Sequence, residues 1–557
     1  MNERIIKKNN IYFKGCAYAD DVSVICEGTS SSIQGVFDEY NKLTERSGLE
    51  LNAEKTEILR LNNNNLKSIE VTYMNSKFKI TPVERLKICG LFFSSTDEDE
   101  YRLNVLEKIN KLIYKMKLWT PRHLTMEGKT LIVKTFGLSQ LIYNMQSYGF
   151  KAAEIKKAES EIFKFIWSSN ISHNGVDRIK RATMKNDYEN GGMKVTDVEC
   201  LDRSLKLKQF IRASNSNHLI AKIQELVVGK EKEKDTVRQE YFDINNKEDI
   251  CCSAQETLNI ITDYNRDLYQ KLKPEEYESD KNLIEEISSI NISMFLKRKN
   301  KVFSLCILKS ITKLGIKTLG ELVQAYEHET EPNINKSMKL VLNSFPKNLV
   351  LIAKCFNENI NEESSSLKYI KIANGNRILT ETITVKEFQI TLKNALGKLD
   401  TLDCNNKLGI ENFDMTNLTI FRKNCTNAKL RNIYFRLIHN DFFTHSRMKR
   451  YKMTTTDNCP RCGQVETTPH LLWECCQSKR IWEAYNEFMI ISGNPCEIVK
   501  DYKGIYEVGK TKSSTLIKIR VIQELIQIKR PTNWNIENIN VIATELKKIE
   551  TYNTKKH

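Results

Sequence analysis

The chain has 557 residues, a formal net charge of +16 at neutral pH and a pI near 9.0. Its hydrophobic content of 40% can fill buried cores, which excludes a disordered chain, and its length calls for several domains. The basic balance favours a polyanionic partner, nucleic acid or an acidic membrane surface, with a partnerless basic surface as the bland alternative.

No apolar run of about eighteen residues occurs, so no transmembrane helix and no membrane partner is expected. Residues 1–10 are polar and lack the apolar stretch of a secretory signal. Fifteen cysteines without an export signal read as reduced thiols or metal ligands, which places the chain in the nucleus, the cytoplasm or both.

Short apolar and β-branched runs at 11–17 and 22–26 predict a hairpin around Tyr18-Ala19-Asp20-Asp21. Ile33, Val36, Phe37, Tyr40 and Leu43 recur at helical spacing and predict a helix over 32–47, stopped by Gly48. The Asn62–Asn65 tract reads as a loop. Residues 69–80 alternate around Asn75-Ser76 as a second hairpin.

From about 97 the period turns helical, with Leu103, Leu106, Ile109, Ile113 and Met116 on one face. Thr125 is an N-cap candidate for a helix through 135. Ile155, Ile162, Phe163 and Ile166 mark another helix, and Gly191-Gly192 precedes one over 201–210. Residues 215–420 are mixed in charge, rich in Asn and helical in pattern; they show no chemical motif, and 230–235 reads as a charged linker. A Cys/His cluster at 459–476 is followed by a basic, weakly patterned tail.

Asp20 and Asp21 are adjacent carboxylates on a tight turn. They repel each other unless a cation lies between them, and Mg²⁺ is a natural oxygen-bound counter-ion. An Asp-Asp pair is also ordinary solvated turn chemistry. The surrounding sequence resembles the palm of reverse transcriptases of non-LTR (LINE-type) retrotransposons. Tyr18-Ala19-Asp20-Asp21 is followed by Gly48-Leu49-Glu50-Leu51-Asn52-Ala53-Glu54-Lys55-Thr56. Then comes Leu86-Lys87-Ile88-Cys89-Gly90-Leu91-Phe92, in which Ile88-Cys89 replaces the customary aromatic-Leu of the primer grip.

The resemblance implies that Asp20, with Asp21 as a weaker companion, ligates Mg²⁺ in an intact palm, and that Lys55 approaches the nucleotide phosphates. Asn52 reads as a loop-ordering residue. The family's other metal-binding Asp and its fingers lie upstream of this motif, so the chain reads as a truncated RNA-directed DNA polymerase, inactive alone.

Trp119 to Lys129, with Leu124-Thr125 and Gly128-Lys129, and then Leu138, Leu141, Ile142 and Tyr143, resemble the same family's thumb. So do Phe165-Ile166-Trp167, Arg178-Ile179-Lys180-Arg181 and Gly191-Gly192-Met193-Lys194-Val195, which together carry the resemblance to about 210. A thumb holds template and primer through phosphate contacts, for which Lys129 and Lys134 are candidates against the plain reading of a solvated helix face.

Cys459, Cys462, His470 and Cys475 follow C-x2-C-x7-H-x4-C spacing, the pattern of a closed structural Zn²⁺ site; Cys476 leaves the fourth ligand open by one residue. Residues 421–452 hold nine Lys or Arg and one Asp, interleaved with Tyr434, Phe435, Phe442 and Phe443. Cations that contact phosphates and aromatics that stack on unpaired bases suit single-stranded nucleic acid, and Arg431, Arg436, Arg447 and Arg450 are the candidates. This region resembles the C-terminal zinc-binding region of the same family.

The expected fold is therefore α+β. An antiparallel palm-sheet remnant (1–95) precedes a thumb and helical region (96–214), a helical segment of open role (215–420), a basic segment with a zinc module (421–495) and a tail (496–557). The implied partners are an RNA template and a DNA target or primer. A non-catalytic nucleic-acid-binding protein derived from a decayed element is the alternative.

Overall fold

The computed structural model describes residues 15–18, 21–61, 67–169, 172, 174–214, 250–268, 281–299, 301, 303–356, 369–371, 377–379, 383–398, 410, 413–509, 511–528 and 532–554. The described chain is α+β: helices dominate, and the strands form four two-stranded antiparallel hairpins. Two compact units emerge, 1–114 with 139–154, and 115–138 with 155–557.

In the first unit, β1 (Gly15–Tyr18) pairs with β2 (Asp21–Val24), with Tyr18 opposite Asp21. Helix α1 (Ser30–Ser47) starts where the Thr29 side chain accepts the Ser32 amide and ends where the Gly48 amide reaches Thr44 O at 2.8 Å. Its apolar stripe, Ile33 and Phe37, packs on β3 (Ile69–Tyr73) and β4 (Ser76–Ile80), whose Ile69, Val71, Tyr73 and Ile80 face it. The period-2 alternation thus buries one face of this hairpin.

The β3–β4 turn sits one residue earlier than its sequence suggests. Tyr73 pairs with Ser76, so Met74 and Asn75 are the two left-handed residues, at φ 47° and 64°. The Tyr73 hydroxyl is shared by the Leu51 amide (2.7 Å) and Thr44 Oγ1 (2.8 Å), which pins the segment after α1.

Strands β5 (Arg85–Ile88) and β6 (Leu91–Ser94) join through Cys89 and Gly90, at φ 47° and 87°. A Cβ at Gly90 would lie 3.3 Å from Tyr143 Cε1, and the Tyr143 hydroxyl donates to Cys89 O, so the left-handed backbone favours glycine and any side chain here would crowd the Tyr143 ring. A π turn over Arg102–Leu106 buries Asn104, whose amide pairs with both the N–H (3.0 Å) and C=O (2.6 Å) of Phe92 on β6.

The second unit is helical. Helix α2 (Met126–Ile132), capped by Thr125, precedes α3 (Ala152–Trp167) and α4 (Val198–Ser214). Helix α4 packs with α5 (Ile250–Leu268) and α6 (Val385–Ala395) around Leu207, Leu258, Ile261, Phe388 and Leu392. Helices between 281 and 356 enclose their own core around Phe295, Leu322 and Leu349.

The last core gathers α7 (Thr416–Asn424), α8 (Ala428–Ile438), α10 (Cys476–Ile491), α11 (Lys512–Gln527) and α12 (Ile536–Thr554), while the short α9 (His445–Arg450) buries none of its own residues. The segment from 496 onward is accordingly no loose tail. Leu516, Ile519, Val521, Ile522, Leu525, Ile539 and Ile542 complete this core; sparse alternation in the sequence hid the fact that α11 is buried on most sides. The charged stretch at 230–235 and the Asn62–Asn65 loop lie outside the described residues. Among the described residues no helix is long and apolar enough to cross a membrane.

Candidate metal centre and neighbouring charges

A short knuckle carries the first two thiols. Asn458 bridges to Val465, the Cys459 amide donates to Gln464 O (2.6 Å), and the Gly463 amide turns back to Cys459 O (2.8 Å). Gly463 takes φ 81°, the left-handed residue that lets the chain reverse directly after Cys462.

The other two donors flank a π turn over His470–Glu474, closed by the Cys475 amide on His470 O at 3.0 Å. Five residues along an ordinary α-helix would set these side chains about 140° apart. A turn closed by an i→i+5 bond instead stacks the sixth residue over the first, bringing His470 and Cys475 to one side. Arg461, buried, holds this turn by donating to Leu471 O (2.9 Å) and Ser478 Oγ (3.1 Å).

The fold thus brings Cys459, Cys462, His470 and Cys475 together, with their donor atoms all within 4.8 Å of one another. Cys459 Sγ lies 4.0 Å from Cys475 Sγ, and Cys462 Sγ lies 3.2 Å from His470 Nε2. Donors about 2.0–2.3 Å from a tetrahedral ion stand roughly 3.5–3.8 Å apart, so the cluster fits Zn²⁺. Cys476, left open by the spacing, is exposed as the first residue of α10 and outside this group. Burial, then the Arg461 charge, lowers the His470 pKa and favours the neutral imidazole that a metal binds.

A family model described as zinc-binding in reverse transcriptase matches residues 406–482. The chain carries a reverse-transcriptase-type zinc-binding segment. That match spans α7 to the first turns of α10 and includes all four donors.

Three stretches far apart in sequence meet in this unit. Glu127 on α2 accepts from Arg422 (2.6 Å) on α7 and Arg431 (2.7 Å) on α8, and Arg422 lies over the Tyr188 ring. His439 Nε2 donates to Gly191 O at 2.7 Å. Asp441, 1% exposed, is surrounded by Arg178 (3.4 Å), Arg436 (3.6 Å) and Arg447 (3.9 Å), and Arg178 lies between the Trp167 and Phe443 rings. Burial nevertheless pushes the Asp441 carboxyl upward.

The other residues singled out by the sequence are placed as follows. Asp20 lies outside the described residues, and Asp21 is exposed at the start of β2. The Lys55 side chain is exposed in a short 3-10 turn, which Asn52 orders by accepting the Lys55 amide at 3.1 Å.

Lys129 has a different job from the phosphate contact expected of it. It is 5% exposed, and its ammonium donates to Ser168 O (2.6 Å), Ser168 Oγ (3.2 Å) and Ile166 O (3.4 Å), which closes the C-terminus of α3. Burial lowers its pKa to about 8. Lys134 reaches solvent; partial burial of its ammonium and the nearby Lys194 and Lys393 lower its pKa.

Arg431, Arg436 and Arg447 were expected on a nucleic-acid face, yet each is largely buried and held by partners within the protein. Besides its carboxylate, Arg431 donates to Cys425 O (3.0 Å) and Thr426 O (3.1 Å), Arg436 to Asp441 O (3.0 Å) and Arg447 to Asn440 O (2.7 Å). Helical periodicity could not show that these cations turn back onto the protein, because their partners are loop carbonyls and the Asp441 carboxylate beside the helices and, for Arg431, the distant Glu127. Arg450 alone of the four is exposed, beside Tyr451.

Proposed function

We propose that this chain is the nucleic-acid-binding part of a non-LTR-type reverse transcriptase, which engages an RNA template and a DNA target or primer in the nucleus or cytoplasm. The observation that carries the reading is the reverse-transcriptase zinc-binding match over 406–482, with a Cys₃His group inside it. Zn²⁺ held by Cys459, Cys462, His470 and Cys475 would supply local folding energy rather than chemistry, since four protein donors leave no open position.

Beside the knuckle, Arg450 and Lys452 are exposed together with Tyr451, which suits a phosphate backbone and an unpaired base. In the first unit, Asp20 and Asp21 are the proposed Mg²⁺ ligands of a polymerase palm, and Lys55 the group nearest the nucleotide phosphates; Mg²⁺ there would stabilise charge on the transferring phosphate.

The test is equilibrium binding of the full, zinc-loaded chain to an RNA–DNA hybrid across salt concentrations. The logarithm of affinity should fall linearly with the logarithm of salt. Arg450→Ala with Lys452→Ala should reduce the slope by about 2, one released counterion per lost phosphate contact. Binding that ignores salt, or an unchanged slope in the double variant, contradicts the reading.

A further inference from the structure

We infer that the metal knuckle acts at a distance of one helix: its neck, Asp457 and Glu466, clamps both ends of α9 and so positions the cations that α9 carries. The inference rests on the zinc reading above.

Helix α9 has six residues, too few to persist by helix propensity. Its first four amides need partners, and two residues supply all of them. Thr444 accepts from Arg447 with its hydroxyl (3.4 Å) and from Met448 with its carbonyl (2.8 Å). Glu466 accepts from the His445 amide with Oε1 (3.0 Å) and from the Ser446 amide with its carbonyl (3.3 Å). The same carboxylate meets His445 Nδ1 at 3.1 Å, and the same carbonyl accepts the Ser446 hydroxyl at 2.6 Å. A carboxylate at a helix N-terminus also opposes the positive end of the helix dipole.

The far end is held from the other side of the neck, where Lys449 Nζ lies 3.0 Å from Asp457 Oδ1. Asp457 and Glu466 are themselves joined, since the Glu466 amide donates to Asp457 O at 2.8 Å, directly outside the Asn458–Val465 bridge. Beyond that bridge, among the described residues, the knuckle is closed by the turn bonds at Cys459, Gln464 and Gly463, by the Arg461 side chain on Leu471 and Ser478, and by the metal donors. A third tie runs from Thr468 Oγ1 to Asn440 Oδ1 at 2.6 Å, and Asn440 O receives Arg447.

Glu466 is buried, as a glutamate rarely is unless its carboxylate is partnered, and the contacts with α9 supply the partners. A metal that fixes Cys459 and Cys462 therefore fixes the neck, and the neck fixes Arg447, Lys449 and Arg450. Glu466 and Asp457 are positioning residues, and neither belongs to the group of four donors.

The experiment uses the full chain, with zinc counted by mass spectrometry and amide hydrogen exchange read over residues 445–452. In the wild type, removing zinc with a chelator should lower protection of these amides at least tenfold. Glu466→Ala should keep one zinc per chain yet show the same loss with zinc bound, and chelation should then change these amides little further. Glu466→Gln, which retains an accepting oxygen, should restore most of the protection. A wild type without zinc refutes the zinc reading itself. A zinc-loaded wild type whose α9 protection ignores chelation overturns the coupling alone, as does a Glu466→Ala chain that holds zinc and keeps α9 protected. Loss of zinc in Glu466→Ala also overturns it, by making Glu466 part of the metal fold.

Discussion

Replacing Glu127 by Ala removes one carboxylate from two arginines that join α2 to α7 and α8. Fully buried pairs cost about 3–5 kcal/mol to break from one side, whereas exposed pairs contribute about 0–1 kcal/mol. This site lies between those limits, with side chains 19% exposed for Glu127, 22% for Arg431 and 34% for Arg422. Arg431 also keeps its carbonyl partners and Arg422 its place over Tyr188. The expected loss is therefore roughly 2 kcal/mol. A cycle with Arg431→Ala should return a coupling of about 1 kcal/mol.

The same carboxylate gives a pH signature. Its burial opposes ionisation, but hydrogen bonds from Arg431 and Arg422 prevail and its pKa is lowered. A lowered folded-state pKa means that the contribution is complete above the unfolded value, about 4.3, and is lost as pH falls through the folded value. Urea unfolding of wild type, both single variants and the double variant at neutral pH and below pH 4 tests this. Additive losses at neutral pH, or a wild-type advantage that persists undiminished in acid, would refute the assigned role.

Lys129→Met should show the same sign of pH trend in an alkaline window: because the folded Lys129 pKa is lowered to about 8, wild-type stability should gain on the variant as pH rises from 8 towards 10, by roughly 1.4 kcal/mol per unit at most, and a flat difference contradicts its burial as an ammonium. Gly90→Ala should destabilise the first unit by about 1–2 kcal/mol through the left-handed backbone and the approach of Tyr143, and thermal unfolding no different from wild type would contradict that geometry. Arg436→Ala should lower thermal stability with little effect on the salt slope of binding, whereas Arg450→Ala should do the reverse; a stable Arg436→Ala chain with a flattened slope would restore Arg436 to the nucleic-acid face.

Local features were the legible ones. Gly48 stops α1, Thr125 caps α2 and alternation over 69–80 gives a half-buried hairpin, because each depends on residues a few positions apart. The four metal donors fall within 17 residues, 459–475, so spacing singled them out. The choice between Cys475 and Cys476 turns on a π turn that no spacing rule supplies.

Long-range partners were not legible. Nothing near Lys129 in sequence shows that it meets residue 168, or that Glu127 meets residues 422 and 431. A basic run with interleaved aromatics looks the same whether its arginines face phosphates or a buried aspartate such as Asp441. Asn104 carried no motif, although it holds a backbone segment that its neighbours need.

The central claim is tested most directly by the metal content of the purified full chain, measured by native mass spectrometry and inductively coupled plasma analysis. One zinc per chain is expected in the wild type and in Cys476→Ser, and none retained in Cys475→Ser or Cys459→Ser. A chain without zinc, or one that loses zinc in Cys476→Ser and keeps it in Cys475→Ser, would contradict the account.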